Sequence, residues 1–328
     1  MTDTIYVIGS NSFSGATFVD YALRQGARVL GSSRSAEPFD AFLPYKWTDH
    51  SRFTFHHLDL NSDLPRIMHL VNDEKPAYIV NFAAQSMVAE SWLHPGDWFM
   101  TNVVSTVKLH DELRKCRFLK RYVHVSTPEV YGSCSGFVTE DFVFNPSTPY
   151  AVSRAAADLS LRTFHAAYGF PVVTTRAANV YGPGQRLYRI IPRTILYILL
   201  GRKLQLHGGG ASTRSFIHMR DVSNATWMLM NSGQNGETYH ISTNDVVSVR
   251  ELVEQICRKL NVSFDDHVEV VGERLGKDSA YHLGSTKMRS LGWADRISLD
   301  QGLDECIGWV RANLDGLASQ PHDYVHQA

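Results

Sequence analysis

The sequence predicts an α/β fold: a doubly wound parallel sheet with a smaller α/β lobe contributed mainly by the C-terminal part. Three observations predict it. Short apolar runs alternate with amphipathic stretches through the first half. A loop bounded by glycines, Gly9-Ser-Asn-Ser-Phe-Ser-Gly15, follows the first of those runs. After about Ala178 the alternation gives way to turn-rich segments. Strands separated by helical segments build a parallel sheet with helices on both faces.

Taken in order, the candidate strands are Ile5–Ile8, Arg28–Gly31, Phe53–Leu58, Tyr78–Phe82, Arg121–Ser126 and Val172–Ala177. Between them lie amphipathic stretches at Gly15–Gln25, Leu64–Glu74, Asn102–Cys116 and Ala151–Tyr168. Asn179-Val-Tyr-Gly-Pro-Gly-Gln185 is a turn-rich loop. A helix, an apolar strand near Lys203–His207 and the run Gly208-Gly209-Gly210 follow, and Arg214 to Asn231 returns to the first domain. Helices are expected at Val249–Leu260 and Leu299–Asn313. The expected division is residues 1–178 plus about 214–245 as one domain, and about 179–213 plus 246–328 as the lobe.

At 328 residues the chain can bury a large core. Its 44% hydrophobic and 20% charged residues are ordinary for a globular protein. A net charge of -1 gives no sign of a nucleic-acid or membrane partner. Cys116, Cys134, Cys257 and Cys306 lie far apart, without metal-ligand spacing, so no metal is expected and reduced thiols are the simplest reading. The first strand starts almost at the N-terminus, leaving no room for a signal peptide. The longest apolar run, around Ile190 to Leu200, is too short to span a bilayer. A cytoplasmic protein is expected.

Ligands on a doubly wound sheet sit outside the carboxyl ends of the strands, so the residues after each strand carry the argument. In the first loop, Gly9 suits a tight turn and Gly15 suits close packing of helix on sheet, while the helix N-terminus offers free N–H groups to a pyrophosphate. Gly9, Asn11, Ser12, Phe13, Ser14 and Gly15 are therefore candidate cofactor residues, in a Rossmann-type arrangement. Ser12 stands where a dinucleotide loop normally has its middle glycine, and would crowd the phosphate or hydrogen-bond to it. The second strand ends without the acid that usually meets the ribose of NAD. Arg34, flanked by serines, suits a 2′-phosphate instead. The sequence thus favours NADP, with NAD possible. Asp59 and Leu60 are placed to meet adenine. Phe82, Ala83 and Ala84 are placed where a cofactor passes close to the backbone.

The chemistry centres on Tyr150-Ala-Val-Ser-Arg154. Residues four apart share one helix face. A free phenol has a pKa near ~10 and is a poor base at neutral pH. A fixed cation beside it favours the phenolate, and reaching about 7 would need roughly 4 kcal/mol of preferential stabilisation. Tyr150 and Arg154 are assigned to both catalysis and cofactor binding. Ser126-Thr-Pro-Glu129 follows the fifth strand, where a substrate would meet Tyr150. Thr127 is placed to hydrogen-bond the reacting oxygen. Glu129 is placed to act as general base or acid, or alternatively as a carboxylate favoured by a helix N-terminus.

These motifs, with Ala84-Gln-Ser-Met-Val-Ala-Glu-Ser91, Thr101-Asn-Val103, Arg176–Gly184, Arg214-Ser-Phe-Ile-His218 with Asp221, and Arg274-Leu-Gly-Lys-Asp278, give the chain its resemblance. It resembles the extended short-chain dehydrogenase/reductases, and more narrowly the nucleotide-sugar 4,6-dehydratases with their epimerase and decarboxylase relatives. The resemblance runs nearly the whole length, except for the last dozen or so residues. It implies that Tyr150 takes the C4 hydroxyl proton of a nucleoside-diphosphate hexose and that Glu129 removes the proton at C5. It implies substrate contacts at Ser86, Ser126, Thr127, Asn179, Arg214 and Arg274. It also implies a homodimer formed through the stretches 102–116 and 151–168.

Two departures stand out. Pro128 occupies the position of the aspartate that dTDP-glucose 4,6-dehydratases use as acid, and proline cannot donate a proton. GDP-mannose 4,6-dehydratases lack that aspartate too. Arg154 replaces the usual lysine: it keeps the charge but is larger, forked and a poor proton relay. The readings left open are a 4,6-dehydratase, a C4 epimerase or UDP-glucuronate decarboxylase of the same fold, and a catalytically weak member acting as a binding protein.

Overall fold

Seven parallel strands form the central sheet of the protein. They are β1 (Thr4–Ile8), β2 (Arg28–Ser33), β3 (Phe53–His57), β4 (Tyr78–Asn81), β5 (Arg121–Val125), β6 (Val172–Ala177) and β7 (Thr238–Ile241). The computed structural model describes residues 3–134, 136–272 and 282–327. The strand order is β7-β6-β5-β4-β1-β2-β3, and every pairing in it is parallel. The order reverses between β1 and β4, which opens a crevice at their carboxyl ends.

The sheet is buried on both faces because its strands are apolar on both. Along β1, Ile5 and Val7 face one way and Tyr6 and Ile8 the other, as the two-residue period of a strand requires. Ile5, Val7, Val29, Val80 and Val123 pack with Phe18 and Val19 of helix α1 (Phe13–Arg24). Tyr6, Ile8, Leu30, Ile79 and Tyr122 pack with Ile67 and Val71 of α2 (Leu64–Glu74).

A helix runs from Pro95 to Leu113 and is not uniform. Its first turn is α-helical (α3, Pro95–Phe99), Met100–Ser105 is π-helical, and α4 (Thr106–Leu113) is α-helical again. The sequence reading starts this helix at Asn102. The wider π turn breaks the 3.6-residue apolar spacing, so the first two turns do not read as part of one amphipathic helix.

The helix that carries Tyr150, here α5, spans Pro149–Tyr168. Thr148 caps it, its hydroxyl accepting from the Ala151 N–H at 3.1 Å, and Pro149 occupies the first turn. Gly169 ends it in the left-handed conformation, φ 64°. Tyr150 therefore sits in a rigidly started first turn.

A further apolar core gathers the helices Ile190–Leu199, Val249–Leu260 and Leu299–Ala312. Beside them the strand Leu204–His207 pairs in parallel with Val268–Val271. The helix Met219–Ser232 contributes Met230 to the core against β5, and β7 adds to the edge beside β6. Among the described residues no helix is long and apolar enough to cross a membrane.

Candidate active site

The crevice between β1 and β4 opens into a cleft of about 220 Å³. Gly9, Asn11, Ser12, Arg34, Asp59, Leu60, Phe82, Ala83 and Ala84, all singled out in the sequence, line it. Gly9 has φ 83°, and a Cβ there would stand 2.7 Å from the Ala83 nitrogen. At Gly15 a Cβ would stand 2.2 Å from the Gly9 carbonyl oxygen. Both positions require glycine, which keeps the backbone low at the mouth of the α1 N-terminus. The hydroxyl of Ser10, buried in this turn, has no hydrogen-bond partner. A dinucleotide fits this arrangement: its pyrophosphate would lie on the free N–H groups of α1.

Ser12 has a different task from the one its position suggests. Its hydroxyl donates to the Gly9 carbonyl at 2.7 Å and accepts from the Gly15 N–H at 3.0 Å, so it caps α1. Asn11 is likewise tied inward. Its N–H donates to the Ser33 hydroxyl at 2.9 Å and its side-chain amide to the Ser35 carbonyl at 3.0 Å, locking the first loop to the second. Phe13 packs against the core beside β6. Ser14 follows it at the start of α1. Asp59 accepts from the Asn61 N–H at 2.9 Å.

Tyr150 is buried, 8% exposed. Burial pushes its phenol pKa up from the ordinary value, Arg154 opposes that shift, and the Glu129 carboxylate adds to it. A hydrogen bond from Thr127 and the charge of Arg189 pull it down again. The structure thus gathers Thr127, Glu129, Tyr150 and Arg154 around one phenol. Thr127 also caps the short 3-10 helix Pro128–Tyr131, its hydroxyl accepting from the Glu129 N–H at 3.3 Å. Pro128 takes the first position of that helix, where the missing N–H is not needed.

Arg154 is 2% exposed and points behind the strand end, donating to the Val125 carbonyl and approaching the His124 Nε2 at 3.4 Å. Its charge acts on Tyr150 from within the protein. A polar network that sequence reasoning missed lies behind it. The Ser126 hydroxyl donates to Asp158 at 2.7 Å, and Asp158 pairs with Arg176 at 2.7 Å. Arg176 donates to the Tyr131 hydroxyl at 2.5 Å, which lies 2.7 Å from the His240 Nε2. Asp158 stands four residues after Arg154 and eight after Tyr150, a spacing that could have marked it.

Asn102, in the π-helical segment, was also missed as a positioning residue. Its side chain accepts from the Gln85 N–H at 2.9 Å, and donates to the Gln85 carbonyl at 3.0 Å and to the Ser153 hydroxyl at 2.9 Å. It thereby ties the loop after β4 to the first turn of α5.

The expected substrate residues divide into groups. Ser126 is committed to Asp158. Ser86 is exposed on the loop after β4. Asn179 begins a strand, Asn179–Tyr181, paired in parallel with Phe216–His218, which places it beside the segment carrying Arg214. Arg214 donates to the Thr213 carbonyl at 2.8 Å. Arg274 lies outside the described residues.

The family described as GDP-mannose 4,6 dehydratase matches residues 6–306. The chain belongs to this family of nucleotide-sugar dehydratases and epimerases. It is 30% identical to the dTDP-glucose 4,6-dehydratase of Xanthomonas campestris pv. campestris over 329 residues, 94% of this chain and 93% of that one. It is 31% identical over 255 residues to the Arabidopsis thaliana trifunctional UDP-glucose 4,6-dehydratase/UDP-4-keto-6-deoxy-D-glucose 3,5-epimerase/UDP-4-keto-L-rhamnose-reductase. That match takes in 75% of this chain and 38% of the longer protein. The dTDP-glucose 4,6-dehydratase DesIV of Streptomyces venezuelae, solved with NAD bound, superposes with a TM-score of 0.87. It is 32% identical, over 95% of this chain and 98% of that one. The cofactor in that solved relative is NAD, against the lean toward NADP that Arg34 gives in the sequence.

Proposed function

We propose that this protein is a nucleotide-sugar 4,6-dehydratase that converts an NDP-hexose into an NDP-4-keto-6-deoxyhexose, with NAD as its cofactor. The observation that carries the reading is the meeting of Thr127, Glu129 and Arg154 around the buried Tyr150 phenol. NAD, when bound, supplies the hydride acceptor for C4 and the donor for C6, so the reaction has no net redox change. Gly9, Ser12 as helix cap, and Ala83–Ala84 would hold it, with Asp59 and Leu60 beside the adenine. NAD rather than NADP is favoured because the solved relatives at 30% and 32% identity carry NAD.

Tyr150 takes the proton from the sugar C4 hydroxyl. Thr127 donates to the same oxygen, and Arg154 holds the phenolate from behind. The ketone at C4 acidifies the C5 hydrogen, and Glu129 removes it. Hydroxide then leaves C6 as water. Pro128 cannot protonate that leaving group, so Glu129 returns the C5 proton to it and serves both steps. As C6 is reduced, C5 takes up a proton, which balances the one that Tyr150 took from the C4 hydroxyl. Asn179, Arg214 and Arg274 are assigned to the diphosphate and nucleotide, for which arginine forks are suited.

The test is to incubate the purified protein with NAD and a panel of NDP-hexoses, dTDP-glucose, UDP-glucose and GDP-mannose among them, and to follow the products by mass spectrometry. Loss of one water supports dehydration. Loss of carbon dioxide from UDP-glucuronate would support decarboxylation instead, and an isomer of unchanged mass would support epimerisation.

A homodimer is part of the same proposal. Phe99, Met100 and Val104 on the helix 95–113, and Val152 and Leu159 on α5, are 38–49% exposed. Apolar residues in such numbers on neighbouring helices mark an association surface. Leu159→Glu should convert a dimer to a monomer in light scattering; a wild-type monomer at micromolar concentration would refute the assembly. The four free thiols support a reducing compartment, and we assign the protein to the cytoplasm.

A further inference from the structure

We propose that the segment 321–327 is a strap across the mouth of the dinucleotide cleft, and that it must swing away to admit the cofactor. This rests on reading that cleft as the cofactor site.

The segment follows the helix Leu314–Ala318 and has no helix or strand of its own. Its exposure alternates: His322, Tyr324 and His326 are partly buried, while Pro321, Asp323, Val325 and Gln327 are more exposed. That is the two-residue period of a strand laid on a surface. It touches the protein at three stations.

At its near end, Arg193 on the helix Ile190–Leu199 donates to the His322 carbonyl at 2.8 Å and pairs with Asp323. The His322 ring lies against Tyr197. In the middle, Tyr324 meets Tyr188 edge-on, ring centres 5.4 Å apart. Burial pushes its phenol pKa up, and it feels the charges of Arg34, Glu90 and Arg189. Arg34 lines the cleft and Arg189 also acts on Tyr150, so this ring sits between the cofactor loop and the catalytic tyrosine. At the far end, His326 stacks on His94 at 4.7 Å and on Trp98 at 5.0 Å. Its Nε2 lies 2.7 Å from the Asp97 carboxylate. The Gln327 carbonyl accepts from the Gln85 side chain at 2.7 Å, and Gln327 itself lines the cleft with Gly9 and Ala83.

The strap thus runs from the helix that holds Arg193 to the loop after β4, across the opening between them. Beneath it, Gln327 shares the lining of the cleft with Gly9, Arg34 and Ala83, the surfaces against which a dinucleotide would be laid. The strap therefore lies across the way in.

His94, Asp97 and His326 bring three potential ligand atoms within 4.8 Å of one another. The two imidazoles are parallel to within 8°, so their in-plane lone pairs point along parallel planes and do not converge on one ion. The cluster is a latch of stacking and hydrogen bonding.

A closed form that excludes the cofactor lowers the apparent affinity by the fraction of molecules that are open. The test uses the full chain and the full-chain variant Tyr324→Ala/His326→Ala, whose substitutions lie beyond the last helix. NAD⁺ binding is followed by stopped-flow tryptophan fluorescence and by calorimetry. The variant should bind at least fivefold faster and tighter than the wild type. In the unaltered chain, saturating NAD⁺ should speed hydrogen exchange of the amides in 321–327. Equal or weaker binding by the variant, or exchange in 321–327 that NAD⁺ leaves unchanged or slows, would overturn the strap while leaving the cofactor site intact. If neither protein binds NAD⁺ or NADP⁺, the cofactor reading itself fails and the strap falls with it.

Discussion

The carboxylate of Asp158 lies 2.7 Å from the Arg176 guanidinium, with the two side chains 2% and 0% exposed. Arg154, on the same helix one turn earlier, adds a second buried guanidinium to the same region. Asp158 is the counter-charge of Arg176, while Arg154 acts on Tyr150 and opposes the rise in its phenol pKa that burial causes. The position of that opposing charge is fixed by the core.

Asp158→Asn should destabilise the fold by about 3–5 kcal/mol, because it leaves Arg176 buried without its counter-charge. Urea denaturation followed by circular dichroism measures it. A loss below about 1 kcal/mol would mean that water reaches the pair and screens it.

Removing the charge of Arg154 should act on the pH profile more than on substrate binding. Burial raises the Tyr150 pKa and Arg154 opposes that shift, so Arg154→Met moves the pKa further up. The base form then appears only at higher pH, and the rising limb of kcat against pH shifts in the same direction. At neutral pH the loss should exceed about tenfold, ~1.4 kcal/mol in the barrier. Arg154→Lys keeps the charge and should hold the limb in place, with activity within about tenfold of wild type. A larger loss would show that the reach of the guanidinium to the Val125 carbonyl and His124 is itself required.

Glu129→Gln separates oxidation from elimination. Transient formation of reduced nicotinamide should survive, since Tyr150 and Thr127 remain. Water loss should fall by about 10²–10⁴, the usual contribution of a positioned general base. Exchange of the C5 hydrogen with deuterated solvent reads the step directly; undiminished exchange would assign the base elsewhere.

Burial holds His110 and His124 well below the ordinary imidazole pKa, and holds His218 and His240 at about 3. In the unfolded chain each returns to roughly 6.5. Below that value the unfolded state binds more protons than the folded one, so stability falls as pH drops from about 6.5. Each histidine contributes up to ~1.4 kcal/mol per pH unit, which gives the four an upper bound of roughly 5 kcal/mol between pH 7.5 and 5.5. Urea midpoints across that range test the sign; a midpoint that rises toward pH 5.5 would contradict it.

Six of the seven strands of the central sheet were legible as short apolar runs, and Gly9 and Gly15 frame a loop that tolerates no side chain. The edge strand β7, Thr238–Ile241, was not read as a strand, because its apolar residues alternate with polar ones and follow no strand-and-helix repeat. That Tyr150, Thr127 and Glu129 lie close together was legible because Thr127 and Glu129 follow the end of β5 and Tyr150 opens α5, at the carboxyl side of the sheet. Side-chain direction was not legible. Ser12 stands at a phosphate-binding position and spends its hydroxyl on capping, and Ser126 turns back to Asp158. Sequence spacing gives the face of an element but not the rotamer chosen there. The positioning role of Asn102, a residue that the motif Thr101-Asn-Val103 includes, was not legible for a related reason: its partners, Gln85 and Ser153, are 17 and 51 residues away, and no local pattern records them.

The π-helical stretch Met100–Ser105 makes the length of its helix a functional quantity. One residue of an α-helix corresponds to a rotation of about 100°. Deleting any single residue from that stretch would relax it to an ordinary α-helix and turn Asn102 away from both the Gln85 backbone and Ser153. No substitution at the site would be involved, yet the loop beside the cofactor cleft and the turn carrying Tyr150 would lose their common fastening. The chain should accept many replacements of side chains in this stretch and almost no change in its count.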